Sequence, residues 1–249
     1  MEGDVMASVK NQRSWREFYS DHRFGFLLVM LIGLLIGTPV AIELGLPAWW
    51  LDGVMSVLML SAIFSLCFKP HERTCALVFG IPSVVATVLF NSTTGRISVV
   101  ILLAGRICEI LFLFGSATLI VRALFDAHKF TFDSVFGAIC GYLFLGLGWT
   151  GLYLLIEGFH PGSFQINQSV ILADVSNSMR GLVLSYYSFI TLTTVGYGDV
   201  LPTTPVTRTL AWMEAIAGQF YLAVVVAGLV NMMASGPSQR MTDQSNDLA

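Results

Sequence analysis

Thr193-Thr194-Val195-Gly196-Tyr197-Gly198-Asp199 lies between helix-length apolar segments, and its reading decides the fold. Gly196 and Gly198 stand at alternate positions. A backbone that switches between ordinary and left-handed conformations needs glycine at the left-handed steps, because only glycine enters that region cheaply. Such alternation aims successive carbonyl oxygens along one axis. Val195 and Tyr197 are then expected to point away from the axis, and Thr194 to add a hydroxyl at its inner end. Asp199 lies just outside, where it can accept a hydrogen bond from Tyr186 or Tyr187; with Thr193 these residues are the expected supports of the segment.

A potassium ion crossing lipid must shed its water and needs a substitute shell of oxygens at fixed positions, which backbone carbonyls supply. Thr194, Val195, Gly196 and Tyr197 are the candidate K+ ligands, and Thr194 to Gly198 the candidate selectivity filter. A lone glycine pair in a soluble protein is usually an ordinary turn. Composition argues against that here, because 249 residues that are 55% hydrophobic, 12% charged and of mean hydropathy +0.74 hold more apolar side chains than a soluble domain buries. A net charge of −3 leaves no basic footprint for nucleic acid. Cys67, Cys75, Cys108 and Cys140 fall in or beside apolar runs without metal-ligand spacing and read as packing residues. His22, His71, His128 and His160 are scattered and make no catalytic constellation, so no enzyme and no cofactor beyond the permeant ion is expected.

A hydrocarbon core about 30 Å thick needs roughly 20 helical residues. Six stretches approach this, at residues 24–44, 49–68, 75–90, 97–122, 136–158 and 207–233, and a shorter one, 180–192, is a candidate re-entrant helix. The expected fold is therefore an all-α membrane protein of six transmembrane helices with a re-entrant pore helix. Its divisions are a cytoplasmic segment 1–23, a four-helix domain 24–125, a linker 126–135, a pore domain 136–234 and a short cytoplasmic tail 235–249. The N-terminal apolar run is too long for a secretory signal, so it is expected to stay attached. With both termini in the cytoplasm of a multi-pass cell-membrane protein, Lys10, Arg13, Arg16, Arg23, Lys69, Arg73, Arg122, Lys129 and Arg240 lie inside, against Arg96, Arg180 and Arg208 outside. The same orientation opens the 159–206 loop to the outer face. Asn167-Gln168-Ser169 and Asn91-Ser92-Thr93 match a glycosylation acceptor, a weak signal by itself.

The chain resembles the potassium channel superfamily, most closely from Ser185 to Asn231, and looks like a bacterial-type six-transmembrane channel. Tyr186-Tyr187-Ser188-Phe189-Ile190-Thr191-Leu192-Thr193 follows that family's pore-helix order, Pro202 and Arg208 fall where relatives often carry proline and a basic residue, and Glu214 to Ala223 is similar to its inner-helix run. The resemblance implies a homotetramer in membrane lipid, conducting K+ without intrinsic regulatory domains. It departs at Ile190, where some relatives carry an acid that pairs with the aspartate after the filter, and in using tyrosines for frequent tryptophans. A ring of carbonyls with one filter per chain likewise calls for four chains.

On the last helix Gln219, Leu222, Ala223, Val226, Ala227 and Val230 share one face and would line an inner vestibule, with Val226 or Val230 as its constriction. Gly218, in the family's hinge position, is either a bending point or a site of close packing. Glu214, an acid inside a membrane helix, is expected to hydrogen-bond the pore helix rather than touch ions. The four leading helices occupy the place of a voltage sensor, yet the fourth carries only Arg106 within its span, three residues before Glu109, so little or no voltage sensing is expected. Asp52, Arg106 and Glu109 as a ligand or proton sensor is the competing reading. Fewer than twenty residues follow the last helix, so any regulatory domain is expected on a separate subunit. The rival functions are a potassium transporter subunit and a channel-like accessory or receptor protein with a silent pore.

Overall fold

The computed structural model describes residues 23–45, 78, 80–82, 85, 96–126, 131–166, 170–172 and 176–234. The expected helix at 49–68, most of that at 75–90, the first 22 residues and the tail 235–249 lie outside them, as do Asp52, Cys67, Cys75, three of the four histidines and both glycosylation matches. The described elements are α1 (Arg23–Glu43), α2 (Arg96–Asp126), α3 (Phe132–Phe159), β1 (Phe164–Ile166), β2 (Val170–Ile171), α4 (Asn177–Leu192), β3 (Val200–Pro202) and α5 (Pro205–Ala234). Among the described residues four helices, α1, α2, α3 and α5, are long and apolar enough to cross a membrane.

α3 is the pillar of the arrangement. It begins earlier than the expected residue 136, because Thr131 is an N-cap whose hydroxyl accepts the Ser134 N–H at 3.2 Å, and the end of the expected 126–135 linker is helix. Asp133 in its first turn also serves another helix: its Oδ1 accepts the N–H groups of Phe24 and Gly25 at 3.0 and 3.3 Å. Those are orphan donors at the start of α1. The two helices thus start side by side, and the Phe24 ring lies against Gly137, where a Cβ would press on it at 3.0 Å. Leu27, Leu31 and Leu34 of α1, Phe112, Leu113, Ile120 and Leu124 of α2, Phe144 and Leu147 of α3, and Val225 of α5 close one buried cluster.

A second cluster sits at the far end of α3. Trp149, Tyr153, Phe164, Leu172, Leu184, Tyr187, Leu192 and Val200 join α3, the strands and α4. Tyr153, Phe164 and Tyr187 meet edge-on with centroids 5.2–5.4 Å apart. Each such pair contributes about 0.5–1.5 kcal/mol beyond its buried area.

The three-stranded sheet corrects the all-α expectation. Its order is β2-β1-β3, both pairings antiparallel, with Gln165 opposite Ile171 on one side and Leu201 on the other. Strands of two or three residues are too short to leave a period-two pattern in the sequence. Their placement matters because β2 precedes α4 and β3 follows the glycine-rich run. The excursion through α4 therefore starts and ends at one sheet, beside the end of α3. Thr203 N–H donates to Ser163 O at 2.9 Å, its hydroxyl to Gly162 O at 2.7 Å, and the buried Glu157 accepts Gly162 N–H at 2.8 Å, fastening the start of α5 to the end of α3.

Candidate functional site

α4 buries one face, Leu184, Tyr187, Ser188 and Leu192, at helical spacing against α3 and α5. At its C-terminus four carbonyls lack partners within the helix, and here each finds one. Phe189 O accepts Thr193 N–H at 3.0 Å, Ile190 O accepts Val195 N–H at 2.9 Å and Gly196 N–H at 3.2 Å, Thr191 O accepts Thr194 N–H at 2.9 Å, and Leu192 O accepts the Tyr142 hydroxyl at 3.1 Å. With Thr193 as C-cap, the bonds from Thr194 to Thr191 and from Val195 to Ile190 are those of a Schellman motif. Its left-handed position is ordinarily glycine. Thr194 fills it, at φ +60°.

Beyond the motif the backbone continues to alternate. Gly196 has φ +52° and Gly198 φ +76°, while Val195 and Tyr197 keep negative φ, so left-handed residues fall at 194, 196 and 198. Both glycines fill the role the spacing assigned to them. Thr194 goes beyond it, since a β-branched residue at positive φ is a true outlier costing roughly 1–2 kcal/mol. Val195 and Tyr197 are 52% and 72% exposed, so their own chain does not pack them.

Behind this run the structure separates two neighbouring tyrosines. Tyr186 Oη donates to Asp199 Oδ2 at 2.8 Å, and this hydrogen bond, followed by local desolvation and the Asp199 charge, raises the Tyr186 phenol above its usual pKa. Tyr187 instead joins the Tyr153–Phe164 cluster, 100° around the helix, so the alternative pairing of Asp199 with Tyr187 is not the one formed. Asp199 Oδ1 also accepts the N–H of Val200 at 3.1 Å.

α5 has two distinct faces. Thr207, Glu214, Gly218 and Val225 are its buried residues, with Glu214 and Gly218 against α4 and Val225 in the cluster shared with α1, α2 and α3. Gln219, Leu222, Ala223, Val226, Ala227 and Val230 are exposed together on another face. Glu214 is wholly buried, and its side chain hydrogen-bonds α4, the helix that the sequence offered as its partner: Ser188 Oγ lies 2.5 Å from Oε1, and Tyr153 Oη donates to Oε2 at 2.6 Å. Gly218 lies directly on the Leu192 carbonyl, where any Cβ would collide with backbone, and α5 runs unbroken past it. What the structure shows at this glycine is close approach. Ser188, Tyr153 and Tyr142 were not singled out by sequence; polar-tipped residues inside apolar helices were the available signal.

Away from this region Arg106 Nη1 and Glu109 Oε2 pair at 2.8 Å within α2, as their spacing allows. The Phe125 ring at the end of α2 sits against Gly228 of α5.

The sequence of this region has counterparts in known proteins. A family model described as Ion channel matches residues 164–235, the span from β1 through α4 to the end of α5. Protein LctB of Bacillus caldotenax is 32% identical over 109 residues, covering 41% of this chain and 75% of that protein. No solved structure matches. The chain belongs to the ion-channel family, the family model matching its residues 164–235, and is a membrane protein.

Proposed function

We propose that the chain is a potassium-selective channel, passing K+ down its electrochemical gradient through a filter built by Thr194 to Gly198 of four copies. The observation that carries this reading is the alternation of φ sign over residues 194–198, including a strained threonine at the first step. Strain of this kind persists where surrounding structure over-determines it and is a pointer to function. Carbonyls set along one axis by such a backbone replace the hydration shell of K+. The exposed Val195 and Tyr197 and the exposed stripe from Gln219 to Val230 are the surfaces that neighbouring copies and the vestibule would use. Tyr186, bonded to Asp199, fixes the outer mouth, Thr193 supports the inner end, and Val226 or Val230 narrows the cytoplasmic exit.

In this reading α4 is re-entrant, the sheet and the start of α5 face outward, and both termini face the cytoplasm of the cell membrane. Rubidium uptake into liposomes holding purified protein tests it. Fast, barium-sensitive uptake with sodium excluded is expected, whereas a transporter turns over slowly and a silent pore passes nothing.

Two smaller outcomes follow. Tyr186→Phe removes one solvent-screened hydrogen bond to a charged, partly exposed acceptor. Single-channel records should show open periods shortened by up to about fivefold at unchanged K+ over Na+ preference. Because Arg106 is neutralised by Glu109, the slope of open probability against voltage should correspond to under about one elementary charge, where a sensor needs several. A steep slope in planar bilayers would contradict the assignment of α2.

A further inference from the structure

Around Ser188 Oγ there are two contacts of hydrogen-bond length, 2.5 Å to Glu214 Oε1 and 2.8 Å to the Gly146 carbonyl oxygen. A carbonyl oxygen only accepts, and an ionised carboxylate only accepts. Two separate, linear hydrogen bonds of this length need two protons, and a serine hydroxyl brings one. Tyr153 cannot supply the other, because its hydroxyl proton is committed to Oε2 at 2.6 Å. Left without a second proton, one of the two contacts would set lone pairs against each other in a place that water does not reach. Glu214 and Ser188 are both 0% exposed. The titratable groups turned toward Glu214 are Tyr142 and Tyr153 from α3 and Tyr187 from α4, and among the described residues no cation forms a salt bridge with it. A buried carboxylate with no cationic partner carries a heavy desolvation cost.

We propose that Glu214 carries a proton in the folded channel and acts as a neutral positioning residue for the pore helix. The chain of donors then closes without a gap. Tyr153 Oη–H donates to Oε2, Oε1–H donates to Ser188 Oγ, and Ser188 Oγ–H donates to the Gly146 carbonyl. One proton per chain is taken up from solvent when the helices pack. The result is a relay across three helices: α5 holds α4, and α4 holds α3, one turn before the Leu192 carbonyl at which the filter's base begins. Thr150 Oγ1 also donates to Gly146 O at 2.9 Å, so that carbonyl is fully engaged. A charged acid at this place would break the relay at Ser188.

The consequence for the filter rests on the channel reading above, whereas the proton does not, and the experiment separates them. Full-length protein in lipid at neutral pH is compared with Glu214→Gln by infrared difference spectroscopy, and rubidium and sodium uptake are measured on the same samples. Wild type should show a protonated-carboxyl C=O band that is absent from Glu214→Gln; no such difference band overturns the proposal. Glutamine can donate from its amide nitrogen to Ser188 and accept from Tyr153, so it should keep the rubidium-to-sodium ratio within about twofold, while Ser188→Ala and Glu214→Ala should lower it by about tenfold or more. If Glu214→Ala does not assemble, Tyr153→Phe joins Ser188→Ala as the relay-breaking variant. A glutamine variant as impaired as Ser188→Ala overturns the positioning role. Wild-type protein that passes no rubidium but shows the band would sink the channel reading and leave the proton standing.

Discussion

Replacing Gly196 with alanine is expected to leave the helices folded and to abolish potassium-selective conduction. Among the described residues nothing lies within 4 Å of where the new Cβ would stand, so crowding by them is not the cause. The cost is conformational. At φ +52° an alanine is disfavoured by roughly 1–2 kcal/mol, and if four copies share the proposed filter that adds to roughly 4–8 kcal/mol against its backbone. Thr194 endures the same region because the Schellman bonds span it, whereas Gly196 lies past that motif with a longer 3.2 Å bond to Ile190 O. Circular dichroism and size-exclusion elution should be unchanged, and rubidium uptake should fall by at least about a hundredfold. Uptake that stays rapid and sodium-excluding in the variant would remove the filter assignment.

Gly218→Ala carries the next largest effect, and its sign distinguishes two roles. A glycine that serves as a bending point is exchanged for a better helix former, which stabilises a helix by about 1 kcal/mol. A glycine that admits the Leu192 carbonyl gives the opposite result, since the added methyl must push α5 from α4. Overpacking of this kind costs about 1–3 kcal/mol, occasionally more. The expected outcome is a lower melting temperature of the purified assembly, by roughly 2–4 °C for each kcal/mol in a chain of this size. A raised melting temperature with altered open probability would favour bending instead. Gly228, packed under Phe125, is a useful comparison because a flexible ring, not backbone, would have to move there.

The left-handed steps at Gly196 and Gly198 were legible in the sequence because glycine at alternate positions is itself the signal, and the structure gives both residues positive φ. Thr194 was legible as a hydroxyl and not as a left-handed residue. Propensity argues against a β-branched side chain there, and only the bonds to the end of α4 make the conformation hold. Burial of Glu214 followed from the cost of placing an acid in an apolar helix, yet its partner on α4 did not, since Ser188 is 26 residues away and nothing local marks it. The choice between Tyr186 and Tyr187 was equally closed to sequence, because two adjacent helical residues diverge by 100° and the position of Asp199 selects one. The start of α3 was missed for a different reason. Thr131 and Asp133 are polar, so the apolar runs alone left these capping residues in the expected 126–135 linker.

The most direct measurement is the reversal potential of single-channel current from the purified protein in a planar bilayer with potassium on one side and sodium on the other. If four copies surround dehydrated K+ with the oxygens of Thr194 to Gly198, the current reverses far toward the potassium equilibrium potential, and replacing potassium with rubidium keeps it there. A reversal near zero, or no current from protein that is folded and inserted, would contradict the account.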